Sequence, residues 1–254
     1  MIEFIPIVSF PKSGNTYCRA IVARLFFSKP YHVLPDAHRE NIADSPVFSS
    51  GKRRVKFFKT HSRFPERLLD GHKGRLGTAV WIVRHPLDVF LSQRNYLQLA
   101  RKEVKDARLW SPPPFASAFV RNRAKLTKSE DLETQFAVFM MYGTLDPYFP
   151  AAGNWFDHAE NWREYARTHR CLSLKYEDLV RDPVAAMTPL AKQFGFSAAR
   201  LERAVERARK DTKPDGAFFW KQSPGHYRKL IPKALIDKWY RVYGAEMRTF
   251  GYPR

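Results

Sequence analysis

Cysteine is nearly absent: Cys18 and Cys171 are the only two in 254 residues. So few thiols in so long a chain exclude a disulfide framework and fit a reducing compartment, with cytoplasmic residence expected. A secretory leader is not expected either. The opening Ile2-Glu3-Phe4-Ile5-Pro6-Ile7-Val8-Ser9-Phe10 is apolar but short, lacks a basic n-region and runs straight into a polar glycine loop. No apolar stretch is long enough to suggest a membrane span. Internal repeats and low-complexity tracts are missing. So are zinc-finger, basic-zipper and RNA-binding aromatic motifs, and no nucleic-acid partner is expected. Acidic residues are scarce, with 25 Asp and Glu against 44 Lys and Arg, a net charge of +19. Such a field favours anionic partners. The basic residues are spread along the chain, in modest clusters such as Gly51-Lys52-Arg53-Arg54 and Arg121-Asn122-Arg123, and charge alone names no partner.

Core-forming residues are abundant: 44% of the chain is apolar, with 20 Phe, 11 Tyr and 6 Trp. That suffices for one large domain over residues 1–254. Short apolar runs alternate with longer helical patterns, which predicts an α/β fold with a central parallel sheet flanked by helices. Strands are expected at about 3–10, 55–60, 78–84 and 170–175. Helix signals lie between them. One helix is expected over about 16–28, and another from Pro86 at a first helical position. Thr127 and Glu130 form a capping-box pattern ahead of Phe136-Ala137-Val138-Phe139-Met140-Met141. Asp182-Pro183 and Ser197 read as further starts, and a C-terminal helix runs from Pro232 to near Arg248. Residues of about 28–54 and 101–126 carry too much Pro, Ser and charge for assignment and read as loops.

The stretch Val8-Ser9-Phe10-Pro11-Lys12-Ser13-Gly14-Asn15-Thr16-Tyr17-Cys18-Arg19 is the most informative. A strand feeds a tight glycine turn and a helix follows at once. That aims unpaired N–H groups and the positive end of a helix dipole at one point. Lys12 adds a full charge there, and Ser13 and Thr16 add hydroxyls, so a phosphate or sulfate fits. The nucleotide-triphosphatase pattern G-x-x-x-x-G-K-[ST] does not match. Here the lysine precedes the glycine, and no Ser or Thr follows a Gly-Lys pair to hold Mg²⁺.

Pro11-Lys12-Ser13-Gly14-Asn15-Thr16-Tyr17 resembles the 5′-phosphosulfate loop of the sulfotransferases that use 3′-phosphoadenosine 5′-phosphosulfate (PAPS), written P-K-[SA]-G-[TN]-[TS]-[WY]. Four more segments follow in that family's order. They are Lys59-Thr60-His61, Arg84-His85-Pro86-Leu87-Asp88-Val89-Phe90-Leu91-Ser92, Gly153 to Trp162 (G-x-[WY]-x-x-H-x-x-x-W), and Lys175-Tyr176-Glu177-Asp178-Leu179 with Asp182-Pro183.

The resemblance implies transfer of a sulfonate group to a hydroxyl or amine, by in-line displacement and without a metal. It implies that His61 is the general base and that Lys12 stabilises the leaving phosphate, with Lys59 assisting at the sulfonate. Donor binding falls by the same resemblance to Lys12, Ser13, Gly14, Asn15, Thr16 and Tyr17. Arg84 and Ser92 are implied at the 3′-phosphate, and Tyr17 and Tyr176 at the adenine. The product would be 3′-phosphoadenosine 5′-phosphate (PAP). Asp88 is expected to orient Arg84 or cap its helix. The run Trp220-Lys221-Gln222-Ser223-Pro224-Gly225-His226-Tyr227-Arg228 departs from the family's R-K-G-x-x-G-[DE]-W-[KR]. Lys221, Gly225 and Arg228 keep register, Trp220 replaces the arginine, and Gln222 replaces the first glycine, leaving Lys221 and Gln222 as the donor contacts expected there. A P-loop-type kinase and a non-catalytic polyanion-binding protein on the same fold are the alternatives. The acceptor stays open among a small molecule, a glycan and a lipid.

Overall fold

The computed structural model describes residues 1–38, 40–103, 126, 129–145, 152–213 and 223–254, with residues 99–103 described by backbone alone. They group into two compact units. One draws on residues 1–84 and 152–213, the other on 85–145 and 223–254.

A six-stranded sheet forms the first unit: β1 (Ile2–Ser9), β2 (Val47–Ser50), β3 (Arg53–Thr60), β4 (Arg75–Leu76), β5 (Ala79–Val83) and β6 (Cys171–Lys175). Its order is β2-β3-β1-β5-β6, with β4 pairing β1 beside β5. Only β2 runs antiparallel to its neighbour. β1 is buried from Glu3 to Ser9, and its apolar stretch Phe4 to Val8 is that of a strand covered on both faces. Pro6 sits in this central strand without disrupting it. β4 pairs with Glu3 and Phe4 and β5 with Ile7 to Ser9, so the residue lacking an N–H falls in the gap between them. β3 and β5 flank β1 on opposite sides, so strand order reverses at the C-terminal end of β1. That is the usual crevice for ligands in open α/β sheets.

The helices of this unit are α1 (Asn15–Phe27), α4 (Trp155–Thr168), α5 (Tyr176–Arg181), α6 (Pro183–Gln193) and α7 (Ala198–Asp211). α1 buries Cys18, Ile21, Val22, Leu25 and Phe26 against Ile5, Ile7, Val55, Phe57, Val80 and Ile82. It stops at Ser28, whose φ of 57° turns the chain left-handed. The expected starts at Asp182-Pro183 and Ser197 are present. Asp182 accepts the N–H of Ala185 at 2.9 Å and Ser197 that of Arg200 at 3.3 Å.

The second unit holds α2 (Pro86–Glu103), α3 (Leu132–Tyr142), α8 (Tyr227–Leu230) and α9 (Lys233–Thr249). Phe90, Phe136, Phe139 and Trp239 pack at its centre. α3 is capped by Asp131, which accepts the N–H of Thr134 at 2.7 Å. Thr127 of the expected capping box lies outside the described residues. The stretch 28–54, expected as loop, contains two short 3₁₀ turns, Tyr31–Val33 and Ile42–Asp44, and all of β2. Within the other expected loop, residues 104–125 lie outside the described residues. Among the described residues, no helix is long and apolar enough to cross a membrane.

Candidate active site

The loop after β1 adopts backbone angles that few residues tolerate. Lys12 has φ 68° and Gly14 φ 94°, and Ser13 donates its N–H back to the Phe10 carbonyl at 3.1 Å. A Cβ on Gly14 would stand 2.3 Å from Cδ2 of Tyr176, so both angle and space demand glycine. Gly14 is also the N-cap of α1, with no side chain capping it, which leaves the first-turn N–H groups to the loop. Ser13 Oγ is buried with no hydrogen-bond partner, a costly state unless something else accepts or donates there. Asn15 also acts on the scaffold. Its Nδ2 donates to the Ile7 carbonyl at 2.9 Å and pins the helix start to β1. Thr16 is half-buried in the first turn.

Cations gather at this turn. Arg84, at the end of β5 and 5% exposed, donates from Nη1 to the Lys12 carbonyl at 2.9 Å. Its guanidinium carbon lies 4.2 Å from the Tyr176 ring centroid, and its Nε is buried without a partner. Burial, then Arg84, then Lys59 push the Lys12 ammonium down to about 8. A positive cluster of this kind is relieved by an anion.

His61 follows β3. Its Nδ1 lies 2.6 Å from the carbonyl oxygen of Ser9, the last residue of β1. A carbonyl only accepts, so Nδ1 carries the proton and Nε2 the basic lone pair. Burial, with Lys59 next in weight, holds the imidazole well below its ordinary value, and His61 is neutral at pH 7. Lys59 is itself paired with Asp36 at 2.6 Å.

α4 explains the Gly153-to-Trp162 motif. Trp155 Nε1 donates to the Arg84 carbonyl at 3.1 Å and Trp162 Nε1 to the Ser62 carbonyl at 2.9 Å. Seven residues apart on one helix face, the two indoles hold the strand ends that carry Arg84 and His61. Asn161 adds a bond to the Arg63 carbonyl at 3.0 Å. His158, between them, packs edge-on to Phe10 at 5.7 Å. Burial, then Arg63, lowers its pKa to about 3.

The buried histidine makes the fold sensitive to acid. An exposed histidine in the unfolded chain binds a proton near pH ~6.5, whereas folded His158 refuses it until about 3. Below pH ~6.5 the unfolded chain therefore binds more protons, and stability falls with pH by up to ~1.4 kcal/mol per unit from this group. His158→Phe, which keeps the contact with Phe10, is expected to flatten the fall in Tm between about pH 7 and pH 5. An unchanged slope in calorimetry assigns the acid sensitivity elsewhere.

The remaining expected residues are placed as follows. Tyr176 is buried beneath Gly14 and Arg84. Tyr17 packs against the main core, and burial raises its pKa. Ser92 is 5% exposed on α2. Lys221 and Gln222 lie outside the described residues. Asp88 lies in the first turn of α2. Its carboxylate accepts the N–H groups of Gly225 at 2.6 Å and Tyr227 at 3.1 Å, fastening the turn before α8 to α2. Sequence reasoning gave no role to Ser9 or to the two α4 indoles.

Residues 4–251 match the family model described as Sulfotransferase domain. The chain belongs to the sulfotransferase domain family. Sulfotransferase 1C2 of Rattus norvegicus is 30% identical over 104 residues, which is 38% of this chain and 33% of that protein. The Homo sapiens counterpart is 28% identical over 104 residues, with the same shares. The matched stretch thus spans a third of the length of these curated relatives. Two solved structures extend the likeness of fold over nearly the whole chain. Mouse sulfotransferase SULT7A1 complexed with PAP superposes with TM-score 0.64 at 16% identity, covering 97% of this chain and 85% of that one. Retinol dehydratase in complex with androsterone and inactive cofactor PAP gives 0.60 at 16% identity, covering 96% and 80%.

Proposed function

We propose that residues 1–254 act as one sulfotransferase domain, moving the sulfonate of PAPS to a hydroxyl or amine acceptor. The observation that carries this reading is the bond from His61 Nδ1 to the Ser9 carbonyl, 2.6 Å long. It ties a neutral imidazole to the strand end that leads into the Lys12 loop. The loop suits a phosphate group: Ser13 Oγ lacks a partner, the α1 N-terminus is uncapped by any side chain, and Lys12 is crowded by positive charge. PAP in the two similar solved structures supports the same donor.

The chemistry follows from these groups. The acceptor oxygen forms a bond to sulfur as the bond from sulfur to the bridging phosphate oxygen breaks. The acceptor proton passes to His61 Nε2, and the negative charge growing on the leaving phosphate is met by Lys12 and the α1 N–H groups. Arg84 is assigned to the donor's 3′-phosphate, and α4 keeps that arginine and His61 at their strand ends.

Incubation with PAPS labelled in its sulfonate and a panel of phenols, sugars and lipids tests the function. Label transferred to an acceptor, unaffected by EDTA, is the expected outcome. Phosphate transfer from ATP with Mg²⁺ and none from PAPS overturns it in favour of a kinase. Arg84→Ala is expected to weaken PAP binding by about 10- to 100-fold, as for one charge-assisted phosphate contact, and adenosine 5′-phosphate binding far less. Equal losses in calorimetry with the two nucleotides remove Arg84 from the 3′-phosphate.

A further inference from the structure

His38 lies between α1 and β2, in a stretch that carries no sequence motif. The chain there runs alongside the end of β3: Lys59 donates its N–H to the Pro35 carbonyl at 2.8 Å, and Ala37 donates to the Lys59 carbonyl at 2.9 Å. Asp36, opposite Lys59, takes the lysine ammonium at 2.6 Å and the N–H of His38 at 3.2 Å. These bonds fix where the His38 imidazole goes. Its Nε2 accepts the main-chain N–H of His61 at 2.8 Å, and the two rings lie 5° from parallel with centroids 6.1 Å apart. Thr60 Oγ1 stands 3.4 Å from the same nitrogen.

His61 is therefore gripped at two points, through its ring by Ser9 and through its backbone by His38. We propose that His38 is a positioning residue: its imidazole accepts the His61 main-chain N–H and so sets where His61 Nε2 stands when it takes the acceptor's proton. The inference rests on the proposed role of His61 as base. β3 ends at Thr60, so the His61 N–H lies just past the last strand residue, and without His38 this N–H in a 9% exposed residue loses that acceptor. Displacements near 1 Å of a reacting group are enough to slow a reaction heavily.

Two variants test it, His38→Ala and His38→Gln. The glutamine carbonyl reaches about as far as Nε2 and accepts the same N–H without an imidazole. The first readout is hydrogen exchange of the His61 amide by NMR, which requires no turnover. The second is kcat and KM with PAPS and a working acceptor. In His38→Ala, exchange is expected to accelerate and kcat to fall, each by about tenfold or more, with KM for PAPS within about twofold. His38→Gln is expected to restore both to within about threefold of wild type. Wild-type exchange or wild-type kcat in the alanine variant overturns the proposal, as does glutamine that damages as much as alanine. Failure of the sulfotransferase reading shows separately, as a wild-type chain that transfers no sulfonate, and the amide exchange still decides the His38 contact in that case.

Discussion

Lys12→Ala is expected to lower turnover with PAPS by at least about 100-fold, the usual cost of removing one group that stabilises developing anionic charge. The fold should survive, since Lys12 is half-buried in a loop and belongs to no core cluster. Its positive φ of 68° costs any residue with a Cβ, alanine included, so Tm is measured alongside. Activity near wild type in a folded variant would remove Lys12 from the reaction. The same lysine sets an alkaline limit. With its ammonium pushed down to about 8, it is charged at pH 7 and loses the proton as pH rises through that value. The pH profile of kcat/KM, which reports the free enzyme, should then fall above about 8. A flat alkaline side would mean that the charge on Lys12 is not needed.

His61→Asn is expected to be the other large loss. The asparagine amide can still donate to the Ser9 carbonyl, so the junction of β1 and β3 stays tied while the base disappears. General-base catalysis contributes about 100- to 10,000-fold, and kcat should fall within that range. PAP affinity should stay within about threefold, under ~0.7 kcal/mol. Calorimetry and turnover on one preparation separate the two. Loss of PAP binding together with activity would make His61 structural. Because burial holds this imidazole well below its ordinary value, the wild-type acid limb should lie below pH ~6.5.

Sequence and structure agree where local chemistry dictates the outcome. β1 was legible as a short apolar run, and the turn after it as a glycine between Lys12-Ser13 and a helix. The helix starts at Asp182-Pro183 and Ser197 were legible because a cap acts within three residues of itself. What escaped depends on distant partners. The residues of β2 carry no strong strand pattern, and they pair because β3 offers an edge. α5 has six residues, too short for a periodic signal. His38 and Ser9 acquire meaning only when β1, β3 and the chain at Pro35 lie side by side. Asp88 was expected to orient Arg84 or cap its helix, and no sequence signal pointed to the N–H groups that its carboxylate accepts far along the chain at Gly225 and Tyr227. The α4 tryptophans were visible as a motif, but only tertiary contact shows that their indole N–H groups hold two strand ends.

The ladder between β5 and β6 joins Val83 to Lys175, and everything between those residues must be synthesised before it can close. A ribosome working from the N-terminus therefore releases Ala79-Val80-Trp81-Ile82-Val83 well before its partner exists. Every residue of that strand is buried once the sheet is complete. Until then it is an open, apolar edge, the kind that recruits other chains. Chains truncated ahead of Cys171 should therefore accumulate as insoluble material or remain bound to chaperones.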